Sequence, residues 1–231
     1  MLRSFRSLIF WFLLACNVIF WGTFAPLISF FLSNKRKFYQ RLIALFCRVM
    51  LVLYSQRVRV LGRRNFGYIN NDKGLIIVAN HASFIDSLVL LYRLPFVTRF
   101  TVYKSAFKVP FLNRLYRGAG YIGVGMRGFG SAKGVQALFK ALKQKERIII
   151  YSDVEKEENR FEFSRSIVRL ANEFNITILP IAIKGAARVM PLGQYMLNPG
   201  IITLAVGKPS SYFTSPKELK QAVIELYEKI A

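Results

Sequence analysis

Leu75-Ile76-Ile77-Val78-Ala79, followed at once by Asn80-His81-Ala82-Ser83-Phe84-Ile85-Asp86, decides how this chain is read. Five consecutive apolar residues, three of them β-branched, describe a strand buried on both faces. The polar residues after it mark the carboxyl end of that strand, where open α/β sheets gather their reactive groups. His81 is the only histidine in the chain, so any mechanism needing two imidazoles is excluded. Asp86 follows five residues later. On an ideal helix five steps leave two side chains about 140° apart, so the pair can meet only if a turn fills part of the interval and a helix starts near Ser83. Ser83 is a nucleophile candidate by residue type, but its position suits a helix cap better. In this arrangement the carboxylate accepts the proton of one ring nitrogen, and the other nitrogen can act as general base toward a hydroxyl.

Outward from this segment, short β-rich runs bounded by polar residues, Gly or Pro recur at 57–61, 98–103, 147–151, 177–183 and 201–206. Helical patterns lie between them at 132–144, 164–174 and 215–230, the last opened by Ser215, Pro216 and Glu218 in a capping box. The alternation predicts an α/β fold, a mostly central β-sheet flanked by helices.

The N-terminal part differs. Twenty-six uncharged residues run from Ser7 to Leu32, with Arg3 and Arg6 before them and Lys35, Arg36 and Lys37 after. A straight helix of that length would measure roughly 39 Å, enough to cross a ~30 Å hydrocarbon core. Gly22 and Pro26 interrupt the run and cations flank both ends, so a spanning path and a path within one leaflet both fit. Over 37–54, Phe38, Leu42, Leu45, Phe46, Val49 and Leu53 share a broad face, with Arg41 and Arg48 on another. That pattern suits either an interfacial helix or one that covers the core.

With 53% hydrophobic and 20% charged residues among 231, the chain is no disordered tail. Its 34 Lys and Arg against 12 Asp and Glu, a formal charge of +22, point to an anionic membrane surface first and to nucleic acid second. The aromatic residues of the N-terminal run cluster where they serve lipid rather than bases, so no nucleic-acid partner is expected. Cys16 and Cys47 cannot build a disulfide framework or a four-ligand zinc site. Gly118 to Gly123 matches G-x-G-x-x-G, but helical rather than strand residues precede it, against a dinucleotide site.

The segment Val78 to Asp86 resembles the first signature block of the glycerolipid acyltransferases, in particular the bacterial 1-acylglycerol-3-phosphate acyltransferases. Further stretches resemble the family in order: Val102-Tyr103-Lys104 with Val109-Pro110-Phe111-Leu112, Gly118-Ala119-Gly120-Tyr121-Ile122, Phe163-Ser164-Arg165-Ser166 and Leu179-Pro180-Ile181-Ala182. The resemblance implies a glycerol-3-phosphate acyltransferase-like α/β domain over 56–231, preceded over 1–55 by a two-helix membrane motif. It implies that His81 activates a lysolipid hydroxyl, that Asp86 orients it, and that an acyl thioester is attacked directly. It also makes Asn80, Ser83, Lys104, Gly120, Arg127, Asp153 and Lys156 candidates for binding substrate. The implied partners are a lysophospholipid, acyl-CoA or acyl carrier protein as donor, and an anionic membrane with the catalytic part on its cytoplasmic side. No metal or cofactor is expected beyond the thioester co-substrate.

Two blocks depart from the family. Arg127 stands about one place late in the second. In the third, Tyr151-Ser152-Asp153-Val154-Glu155-Lys156 stands where the family has Phe-Pro-Glu-Gly-Thr-Arg, residues that help hold the acceptor phosphate. Asp153, Glu155, Glu157, Glu158 and Glu162 crowd this segment, which keeps a lyso-aminolipid acceptor open. Between Asp86 and Glu146 no acid occurs, and that cationic belt suits the phosphates of coenzyme A or an acidic carrier protein. The rival from another class is a non-catalytic basic protein that binds membrane or nucleic acid.

Overall fold

One seven-stranded sheet organises the computed structural model, which describes residues 2–54, 56–125, 132–152 and 162–230. The strands are β1 (Arg57–Leu61), β2 (Leu75–Ala79), β3 (Arg99–Tyr103), β4 (Ile122–Val124), β5 (Arg147–Tyr151), β6 (Thr177–Lys184) and β7 (Ile201–Val206), in the order β1-β7-β6-β2-β5-β3-β4. Every neighbouring pair is parallel except β6 and β7. The helices are α1 (Leu2–Phe30), α2 (Lys35–Leu53), α3 (Ile85–Arg93), α4 (Leu112–Ala119), α5 (Ala132–Lys143), α6 (Arg165–Glu173), α7 (Ala186–Val189) and α8 (Pro216–Glu228).

β2 is buried at all five positions, and its period of two divides the core. Leu75, Ile77 and Ala79 pack toward the side that holds α1 to α4, together with Ile149 and Leu179. Ile76 and Val78 pack toward α5, α6 and α8, together with Ile148, Ile150 and Ile178. A continuous apolar run is what a strand covered on both faces requires. The expected mixed α/β fold with a central sheet is therefore present, and the strand boundaries differ from expectation by at most one residue. β4 is the strand the sequence pattern does not announce. It has three residues around Gly123 and survives by pairing along β3, Thr101 opposite Ile122 and Tyr103 opposite Val124.

The N-terminal run corrects one expectation. α1 continues unbroken through Gly22 and Pro26. Pro26 has no N–H to donate to the carbonyl of Gly22, four residues back, and that carbonyl accepts instead from Arg114 Nη1 of α4 at 3.3 Å. Gly22 lets the backbone of Phe111 approach so closely that an added Cβ would lie 2.8 Å from its Cα and carbonyl oxygen. The two interrupting residues thus form a docking point. Toward the N-terminus, Arg6 Nη2 donates to Tyr54 O at 3.3 Å, Ser7 Oγ accepts from Leu197 N at 2.9 Å and Trp11 Nε1 donates to Tyr195 O at 2.8 Å. The outer side exposes Phe5, Leu8, Phe12, Phe20, Phe24, Leu27 and Phe31. Among the described residues α1 is the one helix long and apolar enough to cross a membrane.

α2 combines the two roles left open for it. Tyr39, Leu42, Cys47, Met50 and Leu51 face the core, whereas Leu45, Val49, Val52 and Leu53 are exposed on the side that carries Arg41 and Arg48. Within the face read from the sequence, Leu42 turns inward and Leu45, Val49 and Leu53 turn outward.

Candidate active site

β2 ends at Ala79, and four residues of open chain and a turn carry the backbone into α3. This is the break in helical spacing that the five-residue interval requires. Asp86 sits in the first turn of α3, where the helix dipole favours a carboxylate. Its Oδ2 accepts from His81 Nδ1 at 2.9 Å, from Ala82 N at 3.0 Å and from Ser83 N at 2.9 Å. Two of these donors are backbone amides, so Oδ2 is the acceptor and His81 Nδ1 carries the proton. Nε2 is left as the ring nitrogen not committed to Asp86. Burial pushes the Asp86 carboxyl above its ordinary value, while the hydrogen bond and charge of His81 and the two amides pull it down.

The imidazole is held on its flat side as well. Tyr151, the last residue of β5, stacks on it with ring centroids 4.2 Å apart and planes 18° apart. β2 and β5 are neighbours with Ala79 opposite Tyr151, so the strand order itself brings the first and third signature segments together. Tyr151 Oη lies 3.0 Å from Ser87 Oγ on α3. Burial raises the phenol well above its ordinary range, and the Asp86 charge adds to this, so Tyr151 stays protonated and serves as a wall. Sequence reading missed this contact, and also missed Phe84, Ser87 and Tyr103 as lining residues. The available signal is that β5 ends in the polar-tipped Tyr151 after three isoleucines, much as the apolar β2 runs straight into Asn80 and His81.

His81 opens onto a cleft of about 420 Å³ bordered by Phe84, Ser87, Thr101, Tyr103, Val109, Tyr151 and Ser152. Its wall is mixed, with apolar side chains interrupted by hydroxyls, as small-ligand sites generally are. The Trp11 ring of α1 stands 5.5 Å from that of Phe84, so the long apolar helix reaches the cleft rim. Among the described residues no group of three or more His, Cys, Asp or Glu could hold a metal ion.

The other expected binding residues fall in three places. Asn80 is buried and clamps β2 to β6, donating to Ile183 O at 2.8 Å and accepting from Ile183 N at 2.7 Å. Ser83 is fully buried, donates to Met190 O at 2.6 Å and accepts from Ile85 N at 3.2 Å, as a helix-starting residue does. Both side chains shape the loop that carries His81 and neither borders the cleft. Lys104 is exposed just past β3 at the rim, between the lining residues Tyr103 and Ser105. Gly120 is not at the site. It closes α4 with φ 70° and lies against the Arg36 and Arg99 side chains, at the amino end of β3, whereas His81 stands at the carboxyl end of β2. Arg127, Asp153 and Lys156 lie outside the described residues.

The site is thus a histidine–aspartate pair at the carboxyl edge of a mixed α/β sheet, an arrangement that can serve as a general base without a second imidazole. Residues 57–184 match the family model described as acyltransferase, more than half of the 231 residues, and the chain belongs to that family. It is an acyltransferase. The fold is similar to that of the crystallised 1-acyl-sn-glycerophosphate (LPA) acyltransferase PlsC from Thermotoga maritima, with a TM-score of 0.79 and 24% identity over 98% of this chain and 93% of that one. Comparison with curated protein sequences finds no match.

Proposed function

We propose that this acyltransferase is membrane-associated and moves a fatty acyl group from a thioester of coenzyme A or acyl carrier protein to the hydroxyl of a lysophospholipid, with 1-acyl-sn-glycerol-3-phosphate as the leading acceptor. The reading rests above all on the 2.9 Å contact between His81 Nδ1 and Asp86 Oδ2, in a pair whose histidine borders a cleft. The fold likeness to an LPA acyltransferase and the resemblance of the first signature block support it. In the proposed step Nε2 of His81 takes the acceptor's hydroxyl proton as the oxygen attacks the thioester carbonyl. Collapse of the tetrahedral adduct expels the thiolate, which takes that proton back from the imidazolium. Asp86 stabilises the cation formed in between, and because a thioester is already activated, a positioned base and proximity supply most of the catalysis.

In this proposal α1 lies within one leaflet, because it is tied to the remainder of the chain near both of its ends, at Ser7 and Trp11 and again at Gly22. Its exposed phenylalanines and the outer face of α2 then meet lipid together. The acceptor would enter the cleft from that side, past Trp11 and Phe84.

The test is acyl transfer from a radiolabelled donor by purified protein to a panel of lysolipids, both phosphate-headed and amine-headed. His81→Ala is expected to lower the rate on the order of 10²-fold to 10⁴-fold, the usual share of a general base, with unchanged thermal unfolding. A folded His81→Ala protein with the parental rate would refute the mechanism. Preference for an amine-headed acceptor would shift the acceptor assignment and leave the mechanism standing.

A further inference from the structure

A second cavity, of about 750 Å³, lies at the other end of the sheet from His81. Arg99 and Arg147, which border it, are the first residues of β3 and β5, whereas the cleft is built on the last. Lys35, Arg36 and Lys37 from the start of α2 and Lys145 complete a ring of six cations, and Glu146 is the one acid in the lining. Glu146 is already shared, pairing with both Arg36 and Arg99. Burial holds the Arg99 guanidinium below its ordinary value, Glu146 opposes that, and Arg36 adds to it. Arg36 and Arg99 thus share the one carboxylate of the lining, whereas Lys145 reaches Asp72 at 3.7 Å and Arg147 donates to Asn71 Oδ1 at 2.6 Å, and a bound anion would relieve the like-charge crowding that remains.

Two observations point to a ligand rather than to a solvated charge cluster. Thr98 is 2% exposed and borders the cavity, and its hydroxyl oxygen is buried with no hydrogen-bond partner among the described residues, an arrangement that costs free energy unless something fills it. Next to it, the amino terminus of the 19-residue α2 presents backbone N–H groups, only one of which, that of Lys37, is taken up by the Asn34 cap. The surroundings say what kind of anion fits. Immediately before the turn, Phe30 and Phe31 are 73% and 85% exposed. On the other side of the same turn an apolar trough of about 480 Å³ is bordered by Leu32, Phe38, Leu42 and Leu45. Ser33, Asn34 and Lys37 border both cavities.

We infer that the turn between α1 and α2 binds one anionic phospholipid, its phosphate in the cationic cavity and an acyl chain along the trough. This site is separate from the catalytic cleft and stands whether or not the proposed acceptor is correct. Phosphate chemistry recognises it. The apolar trough selects a lipid over a soluble phosphate.

Native mass spectrometry of the full-length protein, purified in detergent and supplied with phosphatidylglycerol or phosphatidylcholine, tests this. The parent is expected to retain one phosphatidylglycerol and little phosphatidylcholine. Lys35→Gln/Lys37→Gln/Lys145→Gln is expected to weaken retention on the order of a hundredfold, at about fivefold per headgroup-facing cation. A control that removes the same charge from exposed residues elsewhere, Arg165→Gln/Lys208→Gln/Lys217→Gln, should retain the lipid as the parent does. Equal losses in both triple variants would mean bulk charge alone and would overturn the site, as would undiminished retention in the first. Binding of inorganic phosphate by calorimetry without lipid retention would also overturn it, in favour of a soluble anion. None of these readouts involves acyl transfer, so failure here and failure of the catalytic proposal are distinguishable.

Discussion

A single oxygen of Asp86 carries the local design. Oδ2 accepts from one imidazole and two backbone amides, so orientation and charge can be separated experimentally. In Asp86→Asn the amide oxygen can take the place of Oδ2 and keep all three donors satisfied, with His81 in the same tautomer. What disappears is the negative charge that stabilises the imidazolium. Acyl transfer should fall on the order of 10²-fold to 10³-fold, within the span of general-base effects, with an unchanged fold by circular dichroism. Asp86→Ala should fall further and also melt earlier, because it orphans two buried amides at about 1–3 kcal/mol each. Parental activity in Asp86→Asn would show that the charge is not needed. The same residue sets a pH signature. Its carboxyl is raised by burial, so the folded state holds that proton more tightly than the unfolded chain. The stability penalty is absent below the ordinary carboxyl range and grows as pH rises through the raised value. Melting curves should accordingly show Asp86→Asn gaining on the parent between acidic and neutral pH, and a constant gap would contradict the raised carboxyl.

At the scale of elements, Gly22 is where α1 meets the rest of the molecule. Phe111, opposite it, holds a φ of 62°, so the turn that presses on α1 is fixed rather than yielding. In Gly22→Val the new Cβ would fall 2.5 Å from Phe111 Cβ and the helix must lift, at a cost of about 1–3 kcal/mol for overpacking. The expected readout is a lower unfolding temperature in detergent and weaker protection of α4 amides from hydrogen exchange, and unchanged values would mean that α1 is only loosely applied. This contact also shows where sequence reading stops. β1, β2, β5 and β7 are legible to the residue because each is a short run rich in β-branched residues between polar or turn-forming breaks. The His81–Asp86 pair was legible because five residues of local chain contain all its geometry. The continuity of α1 was not, since the partner of the Gly22 carbonyl is Arg114, 92 positions away. The stacking of Tyr151 on His81 was hidden for a similar reason, because it depends on β5 lying beside β2, which no local pattern encodes. Asn80 and Ser83 drew attention as polar residues beside the site, and their partners, the backbones of Ile183 and Met190, again come from distant chain.

For the molecule as a whole, the question is whether residues 1–55 are an anchor attached to an independent domain. Phe10 and Ala25 of α1 and Leu42, Met50 and Leu51 of α2 belong to the same apolar core as Ile77, Ile85 and Val89. Gln40 Nε2 also donates to the carbonyl of Ala119 at 3.0 Å, satisfying the end of α4 from α2. Removing both helices would bare that side of the sheet and of α3 and α4, and at about 25 cal/mol per Å² of apolar surface a few hundred Å² cost as much as a typical domain's whole stability margin. Residues 56–231 alone should therefore be aggregation-prone in aqueous buffer and bind a hydrophobic dye, with a weakened near-ultraviolet dichroism. The full chain should remain with membranes through a wash at about 1 M salt, where charge attraction is screened beyond ~3 Å, and leave only with detergent. Both outcomes follow from one arrangement, in which the helices cover the core on one side and expose Phe5, Phe12, Phe24 and Leu45 on the other. A soluble, monomeric 56–231 protein with the parental near-ultraviolet spectrum would show that α1 and α2 serve as an anchor alone, and release of the full chain by salt would show that the +22 charge, rather than the apolar face, holds it to lipid.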